Sequence, residues 1–442
     1  MHRDSFPGHE AAHVQARHGS VARNATALIM MGGGARAAYQ AGVLSGVARI
    51  AAQHGRGHDP IPFGIVAGTS AGAINGAGLA IQAANFQAAA DSLSALWHGI
   101  HTDDVYRTDV LRAGVSGARW LSALAFGWVT HRRAPRALLD NAPLGSMLDE
   151  LFEGHRIQVS LDAGVLQAFA VTALSYSTGR HVTFYQSHRR IHPWHRSQRI
   201  AVPAQITVDH LLASASIPFL FPAMALELDG HHEWFGDGTM RQMSPLSPAI
   251  HLGASRILAI GSASRQRPGW FDTVPAGGYP SLAQVGGQAL ASIFLDGLSA
   301  DLERLLHINR LLARMPELAG DAEGWRPVQV MTISPSEPIE AIAADHLQQL
   351  PRTVRALLTP LGGTEARGAA FASYLLFEPE FTQSLIALGE RDAAAQADEL
   401  AAFLYGIIPG TSSPPASGPG PAALAVQEPV LQAAGDLPKR RR

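Results

Sequence analysis

From residue 25 onward, short apolar runs alternate with segments whose apolar residues have helical spacing. Residues 25–31 form an apolar run of strand length, and apolar side chains then recur every three or four positions through residues 39–50. Residues 64–67 form the next apolar run, and residues 71–79 form the next helical segment. Apolar strands that alternate with helices are typical of a parallel sheet buried between helices. The pattern therefore predicts an α/β protein with a mostly parallel central sheet.

The later pattern predicts further strands and then a mainly helical region. The expected strands are residues 165–175 and 180–186, which form a hairpin, then 223–228, 233–235, 256–261 and 328–333, the last of which completes the sheet. The expected helices are residues 208–216, 282–315, 348–359, 366–377 and 390–407.

The pattern also divides the chain into four parts. We expect residues 1–24 to be a flexible N-terminal tail and residues 25–262 to be the α/β domain. Residues 263–408 carry helical periodicity and are expected to be a helical C-terminal extension. Residues 409–442 are rich in Pro, Ala and Gly, lack a core pattern and end on four basic residues, which predicts a disordered tail.

Two segments within the α/β domain have compositions that suit contact with lipid. Residues 103–135 concentrate large apolar side chains near basic ones; core packing is the default interpretation, and a lid or membrane-contact insertion is the alternative. Residues 188–199 hold four arginines, three histidines and Trp194. A solvated loop is the default there, and a patch for phosphate headgroups is the alternative.

Composition narrows the class of protein. The 442 residues are 47% hydrophobic and 16% charged, enough for one large core or two modest ones, and a net charge of −2 gives no argument for a nucleic-acid partner. The absence of cysteine excludes disulfides, thiolate nucleophiles and cysteine-bound metals. Residues 1–24 lack the continuous apolar run that is typical of a secretory signal, and the sequence has no uncharged apolar span of about 18 residues. We therefore expect a cytoplasmic protein whose membrane contact, where it has any, is peripheral.

The turn Gly68-Thr69-Ser70-Ala71-Gly72 follows the second apolar run and precedes a helix. A serine in a G-x-S-x-G pattern at such a corner presents its hydroxyl above the sheet. Side chains in place of the two glycines would collide with neighbouring backbone. The N-terminus of the following helix favours a developing negative charge beside the serine. Ser70 is therefore a candidate nucleophile, and a small-residue loop without chemistry is the alternative.

A second glycine-rich turn, Gly32-Gly33-Gly34-Ala35-Arg36, follows the first apolar run. Successive backbone N–H groups in such a turn can converge on an oxyanion, and glycine lets a substrate carbonyl come close.

A general base is the remaining requirement of an acyl-transfer site. Asp237 follows the apolar pair Trp234-Phe235, so a strand can deliver it to the top of the sheet. Histidine is the usual base, and the chain has 20 histidines, of which His210 and His251 are examples, yet spacing selects none. The residues alone leave the choice between aspartate and histidine open.

Four blocks in this order resemble the patatin-like phospholipase family over residues 25–262. They are Gly32-Gly33-Gly34-Ala35-Arg36, Gly68-Thr69-Ser70-Ala71-Gly72, Ser214-Ala215-Ser216-Ile217-Pro218 and Asp237-Gly238. The resemblance implies a three-layer α/β/α fold and hydrolysis of a lipid acyl ester by a Ser–Asp dyad, without a metal or organic cofactor.

The resemblance also assigns roles to residues. It makes Ser70 the nucleophile and Asp237 the general base. It places the oxyanion hole at the first block, Gly32, Gly33, Gly34, Ala35 and Arg36. It makes Gly68, Thr69, Ala71 and Gly72 the nucleophile elbow, and it gives supporting positions to Ser214, Ala215, Pro218 and Gly238.

The sequence departs from the family pattern at one position, and it leaves two other functions open. The family's glycine-rich block usually ends Arg-Gly, whereas Ala37 follows Arg36 here, which leaves the shape of the oxyanion loop open. Gly32, Gly34 and Ala37 also fit a Rossmann dinucleotide pattern, which requires an acidic residue about 20 positions on, at the end of the second strand. The nearest candidate for that acid is Asp59, which lies before the second strand. A patatin fold that is kept as a non-catalytic membrane or partner-binding scaffold is the other alternative.

Overall fold

The computed structural model describes residues 25–108, 137–261, 279–319, 325–365 and 368–407. Within these ranges one sheet holds ten strands. The strands are β1 Ala25–Met30, β2 Ile65–Thr69, β3 Ala168–Ser175, β4 His181–Ser187, β5 His195–Arg196, β6 Arg199–Pro203, β7 Met224–Leu228, β8 His231–Asp237, β9 Ala254–Ile260 and β10 Gln329–Ile333.

Helices connect and cover these strands. The α-helices are α1 Ala38–Gln53, α2 Ala71–Ile81, α3 Phe86–Gly99, α4 Thr102–Val105, α5 Ala142–Leu151, α6 His155–Asp162, α7 Val208–Ala215, α8 Ser247–Leu252, α9 Leu282–Arg314, α10 Ile339–His346, α11 Arg352–Leu358, α12 Ala369–Ala372, α13 Pro379–Ala395 and α14 Ala397–Tyr405. Short 3₁₀ turns lie at Gly34–Ala37, Pro316–Leu318, Leu347–Gln349 and Thr359–Leu361.

The central sheet is mostly parallel, as the hydrophobic pattern predicts. Its order is β10-β9-β1-β2-β3-β4-β6-β5, and the five strands from β10 to β3 are all parallel. β4 is antiparallel to β3, and the β7–β8 hairpin pairs with β3 through β8. The predicted strand at residues 328–333 is β10, which completes the sheet beside β9.

Both faces of the sheet are buried, because alternate residues of one strand enter different clusters. Val66 of β2 packs in a cluster with side chains of α1, α2 and α3. Its neighbours Ile65 and Ala67 pack in a second cluster with Leu246, α8 and Leu305 of α9. Side chains that alternate in this way are the expected result of strand geometry. Helices on both faces confirm the predicted three-layer α/β/α fold.

The helical C-terminal region shares the larger of these two cores. α13 lies against α1, and Leu385 and Leu388 belong to the same cluster as the side chains of α1. Across this helix pair, the buried Tyr39 hydroxyl donates a hydrogen bond to Asp392 Oδ2 at 2.9 Å. The backbones come close at Gly42 and Gly389, where a Cβ would collide with a backbone carbonyl of the facing helix.

Several expectations lie outside the described residues. These are the tails at residues 1–24 and 409–442 and most of the segment at residues 103–135. Among the helices that the structure describes, none has the length and hydropathy needed to span a membrane. The helix expected at residues 390–407 is two helices, α13 and α14, which are separated at Gln396.

We expect Gly42→Ala to destabilise the fold by about 1–3 kcal/mol, because the added methyl group collides with the Ile386 carbonyl of α13. Urea unfolding followed by circular dichroism measures the change. Gly78→Ala is the matched control, since its Cβ would lie 3.7 Å from Leu93 Cδ1 in ordinary contact. Equal losses of stability in the two variants would contradict the close helix crossing.

Candidate active site

Ser70 occupies a strained corner between β2 and α2. β2 ends at Thr69, α2 begins at Ala71, and Ser70 between them has φ 57° and ψ −134°. A positive φ is uncommon for a residue with a side chain and is characteristic of functional turns. A Cβ at Gly68 would collide with the backbone of Gly72, and one at Gly72 would collide with the Met30 carbonyl. The corner therefore requires both glycines that the sequence supplies.

Strand pairing brings Asp237 to this corner. β2 pairs with β3 as far as Thr69, which lies opposite Thr172. The next residue of β3, Ala173, pairs with Asp237 at the end of β8. β8 thus continues along β3 where β2 stops, so the two strand ends meet. Ser70 Oγ donates a hydrogen bond of 2.6 Å to Asp237 Oδ2.

The contact between these two side chains is sealed from solvent. Ser70 is 1% exposed and Asp237 is 0% exposed. Thr239 donates two hydrogen bonds to Asp237 Oδ1, one from its hydroxyl and one of 2.8 Å from its backbone N–H. Burial raises the pKa of Asp237 to about 6, although the hydrogen bonds from Ser70 and Thr239 oppose that shift. A carboxylate with a pKa near neutrality is well matched to accept a proton.

Ser214 fixes the backbone of the corner. Its hydroxyl accepts a 2.8 Å hydrogen bond from the Ser70 N–H and donates one of 2.6 Å to the Thr172 carbonyl. Its own carbonyl accepts a 3.3 Å bond from the Gly238 N–H. Ala215 and Ser70 both line one cavity, and Pro218 follows Ala215 in the next turn. The Ser214–Pro218 block therefore lies against both Ser70 and the strand that carries Asp237.

The glycine-rich loop lies on the other side of Ser70. Gly34 and Ser70 line one cavity. The Ala35 N–H donates to the Tyr374 carbonyl at 3.2 Å, and the Arg36 N–H donates to the Gly33 carbonyl at 3.1 Å. Within the described chain the Gly33 and Gly34 N–H groups have no acceptor. The loop therefore offers the amides of Gly33 and Gly34 to a ligand, whereas those of Ala35 and Arg36 are engaged.

The Arg36 side chain contacts the C-terminal region. It is buried, with Nε donating 2.7 Å to Ser373 Oγ and Nη2 donating 3.2 Å to the Ala370 carbonyl. Its guanidinium carbon lies 4.3 Å from the centre of the Tyr374 ring. Gly34 has φ 54°, and a Cβ there would collide with the Tyr374 carbonyl. Residues 370–374 therefore brace the glycine-rich loop, a role that no sequence motif indicated.

The cavity beside Ser70 is narrow and apolar. It has a volume of about 40 Å³ and opens between α2, α3, α5 and the segment after α12. Its apolar walls include Ile74, Trp97, Leu144, Met147, Phe221 and Phe377. Sequence reasoning did not single out these side chains, because isolated apolar residues in helices carry the same pattern as core residues.

Neither of the histidines considered as a base contacts the pair. His210 Nδ1 lies 2.8 Å from Thr207 Oγ1, and its ring packs 4.6 Å from that of Phe184. His251 Nδ1 donates to the Ser247 carbonyl at 2.8 Å. Asp59, the acid considered for a dinucleotide, lies before β2 and pairs with Arg56 at 3.2 Å.

The fold and the site together define a class of protein. It is an α/β protein in which a serine at a strand–helix corner, Ser70, donates a hydrogen bond to a buried carboxylate, Asp237. A model of the patatin-like phospholipase family matches residues 28–250, about half of the chain, and the chain belongs to this family. Among solved structures, VipD from Legionella pneumophila is similar at 11% identity and a TM-score of 0.31, covering 82% of this chain and 67% of VipD. No curated protein matches the sequence.

We expect Asp237→Asn to stabilise the protein at pH 8. The raised pKa, about 6 against an ordinary 3.8, means that the folded state retains a proton that the unfolded chain loses between those values. Wild-type stability therefore falls as the pH rises from about 4 to about 6, and the asparagine variant lacks this loss. The variant's advantage is about 1–3 kcal/mol at pH 8 and disappears near pH 4.

Urea unfolding at a series of pH values measures this difference. Asp162→Asn, at an exposed aspartate of α6, is the control and should track the wild type at every pH. A difference between Asp237→Asn and wild type that does not change with pH would contradict the raised pKa.

Proposed function

We propose that this chain hydrolyses carboxylic acyl esters of lipids, with Ser70 as the nucleophile and Asp237 as the general base. The observation that carries the proposal is the 2.6 Å hydrogen bond from the Ser70 hydroxyl to the buried Asp237 carboxylate. Membership of the patatin-like phospholipase family supports a lipid as the substrate. The apolar cavity beside Ser70 supports an aliphatic acyl group over a polar one.

The first half of the reaction forms an acyl-enzyme. The Ser70 hydroxyl proton passes to Asp237 Oδ2 as Ser70 Oγ bonds to the ester carbonyl carbon. The carbonyl oxygen becomes an oxyanion that accepts hydrogen bonds from the Gly33 and Gly34 amides and from the N-terminus of α2. Collapse of this intermediate breaks the bond to the alcohol oxygen, which takes the proton from Asp237 and leaves.

The second half releases the acid. A water molecule gives its proton to Asp237, and its oxygen attacks the carbonyl carbon of the acyl-enzyme. The same amides hold the second oxyanion. When the carbon–Oγ bond breaks, the proton returns from Asp237 to Ser70 Oγ, and a carboxylic acid leaves. No step requires a group beyond the side chains and amides already named.

Two large apolar side chains that are close in sequence to site residues are exposed. Phe219 is 71% exposed and follows the Ser214–Pro218 block, and Met243 is 70% exposed and follows Asp237 by six positions. Contiguous exposed apolar surface is typical of contact with a membrane or partner. We propose a peripheral contact of this kind, made by a cytoplasmic protein.

Labelling with a fluorophosphonate probe tests the nucleophile, because the probe bonds to an activated serine. We expect wild-type labelling that is lost in Ser70→Ala and strongly reduced in Asp237→Asn, together with about 10³-fold or greater loss of ester hydrolysis in both variants. Ser92→Ala and Asp162→Asn, both at exposed helix positions, are the matched controls and should keep full activity.

Wild-type protein that neither labels nor hydrolyses a panel of phospholipids, lysophospholipids, triacylglycerols and short esters would favour a binding scaffold. Labelling that survives Asp237→Asn would show that another residue is the base.

The pH dependence of hydrolysis gives an independent test. Only the ionised Asp237 carboxylate accepts a proton, so kcat/KM should rise with pH and level off above an apparent pKa of about 6. Stopped assays with a short-chain ester across pH 4.5–8.5 measure the profile. A rise centred near pH 4 would contradict the effect of burial on this carboxyl.

A further inference from the structure

A second cavity, of about 200 Å³, lies on the opposite face of the sheet from Ser70. Leu246 and Leu305 in its wall belong to the cluster that packs against Ile65 and Ala67, whereas the Ser70 cavity opens into the cluster on the other face. The two cavities share no lining residue. The second cavity therefore lies outside the hydrolytic site, and its chemistry differs from that of the apolar cavity.

Arg199, the first residue of β6, lines this cavity with an unsatisfied donor. Its Nη1 atom is buried and has no hydrogen-bond partner among the described residues. The nearby carboxylate is that of Asp301, but its oxygens serve other donors. Oδ2 accepts the Leu246 N–H at 3.0 Å, and Oδ1 lies 3.3 Å from Arg304 Nη1. Because buried polar groups are almost always paired, a buried guanidinium donor without an acceptor indicates a site for an anion.

The surrounding charge is strongly positive. Arg304 lines the cavity with Arg199, and Arg196 and Arg326 are close enough to act electrostatically on groups in its wall. Asp301 is the one carboxylate among the described lining residues. His251 completes the polar wall, its ring held between Ser247 and Trp194. Four guanidinium groups against one carboxylate favour a multiply charged anion over a single carboxylate.

We propose that this cavity binds a phosphate group through Arg199 and Arg304. Planar guanidinium forks match the tetrahedral oxygens of phosphate and form short, charge-assisted hydrogen bonds with them. A volume of about 200 Å³ suits a phosphate with a small substituent and is too small for a whole lipid. The phosphate can belong to a soluble phosphate or to a phospholipid headgroup, since the recognising chemistry is the same.

Calorimetric titration of the full chain with sodium phosphate at constant ionic strength tests the proposal. We expect saturable binding of phosphate that Arg199→Gln weakens about tenfold or more. Arg352→Gln removes an exposed arginine of α11 outside the cavity and is the matched control, with unchanged affinity expected. Arg304→Gln, at a half-exposed side chain, gives a second weakened variant in case Arg199→Gln does not fold.

Vesicle co-sedimentation separates the two sources of phosphate. Binding to phosphatidylcholine vesicles containing phosphatidic acid, lost in Arg199→Gln but kept in Arg352→Gln, would identify a lipid headgroup. Phosphate binding without that vesicle effect would identify a soluble phosphate. No saturable binding of phosphate by the wild type, or equal weakening in all three variants, would overturn the proposal. These readouts do not involve hydrolysis, so they stand apart from the test of Ser70.

Discussion

The hydrogen bond between Ser70 and Asp237 is the constraint on which the rest of this structure depends. It joins the end of β2 to the end of β8, two strands that do not pair with each other along the sheet. Both depend on β3 for their position, because Thr172 and Ala173 pair with them in turn. A shift of one residue in either register would turn a side chain to the other face of the sheet and separate the pair.

Burial of this pair raises the pKa of Asp237 and also lowers the stability of the fold when that carboxyl is ionised. A carboxylate without solvent is destabilised in its ionised form, which is why the pKa of Asp237 rises to about 6. Three hydrogen bonds, from Ser70 and Thr239, keep the ionised form accessible. A more exposed aspartate would be ionised at lower pH but would be a weaker base. The sealed geometry therefore favours proton transfer at the expense of stability.

The C-terminal region also contacts the loop that forms part of this site. The family match ends at residue 250, yet Tyr374 and Ser373 hold the loop that carries Gly34 and Arg36. A buried guanidinium needs hydrogen-bond and charge partners, and Ser373 and Ala370 accept two hydrogen bonds from Arg36. We infer that the structural unit around Ser70 and Asp237 includes this segment, beyond the domain boundary near residue 262 that the hydropathy pattern suggests.

Local signals in the sequence predict much of this arrangement. The alternation of apolar runs and helices predicts the parallel sheet, and glycine spacing locates the corner at Ser70 and the loop at Gly32-Gly33-Gly34. The side chain of Arg36 was expected beside the oxyanion loop, but its direction depends on Ser373, 337 positions away. The brace at Tyr374 is a backbone carbonyl, which has no side-chain signature. Arg199 was one of several arginines in a polar segment, and only the tertiary fold distinguishes it from its neighbours.

The segment between Asp237 and α8 connects the two faces of the sheet. It begins with Thr239, which donates to Asp237, and continues with Gln242, whose Nε2 donates to Thr69 Oγ1 at 3.0 Å. It ends at Leu246, whose N–H donates to Asp301 in the wall of the second cavity. A carboxylate therefore accepts a hydrogen bond from each end of the segment: Asp237 beside Ser70, and Asp301 in the cavity that Arg199 lines. The same short segment therefore supplies hydrogen-bond donors to the buried carboxylate beside Ser70 and to the carboxylate in the wall of the second cavity.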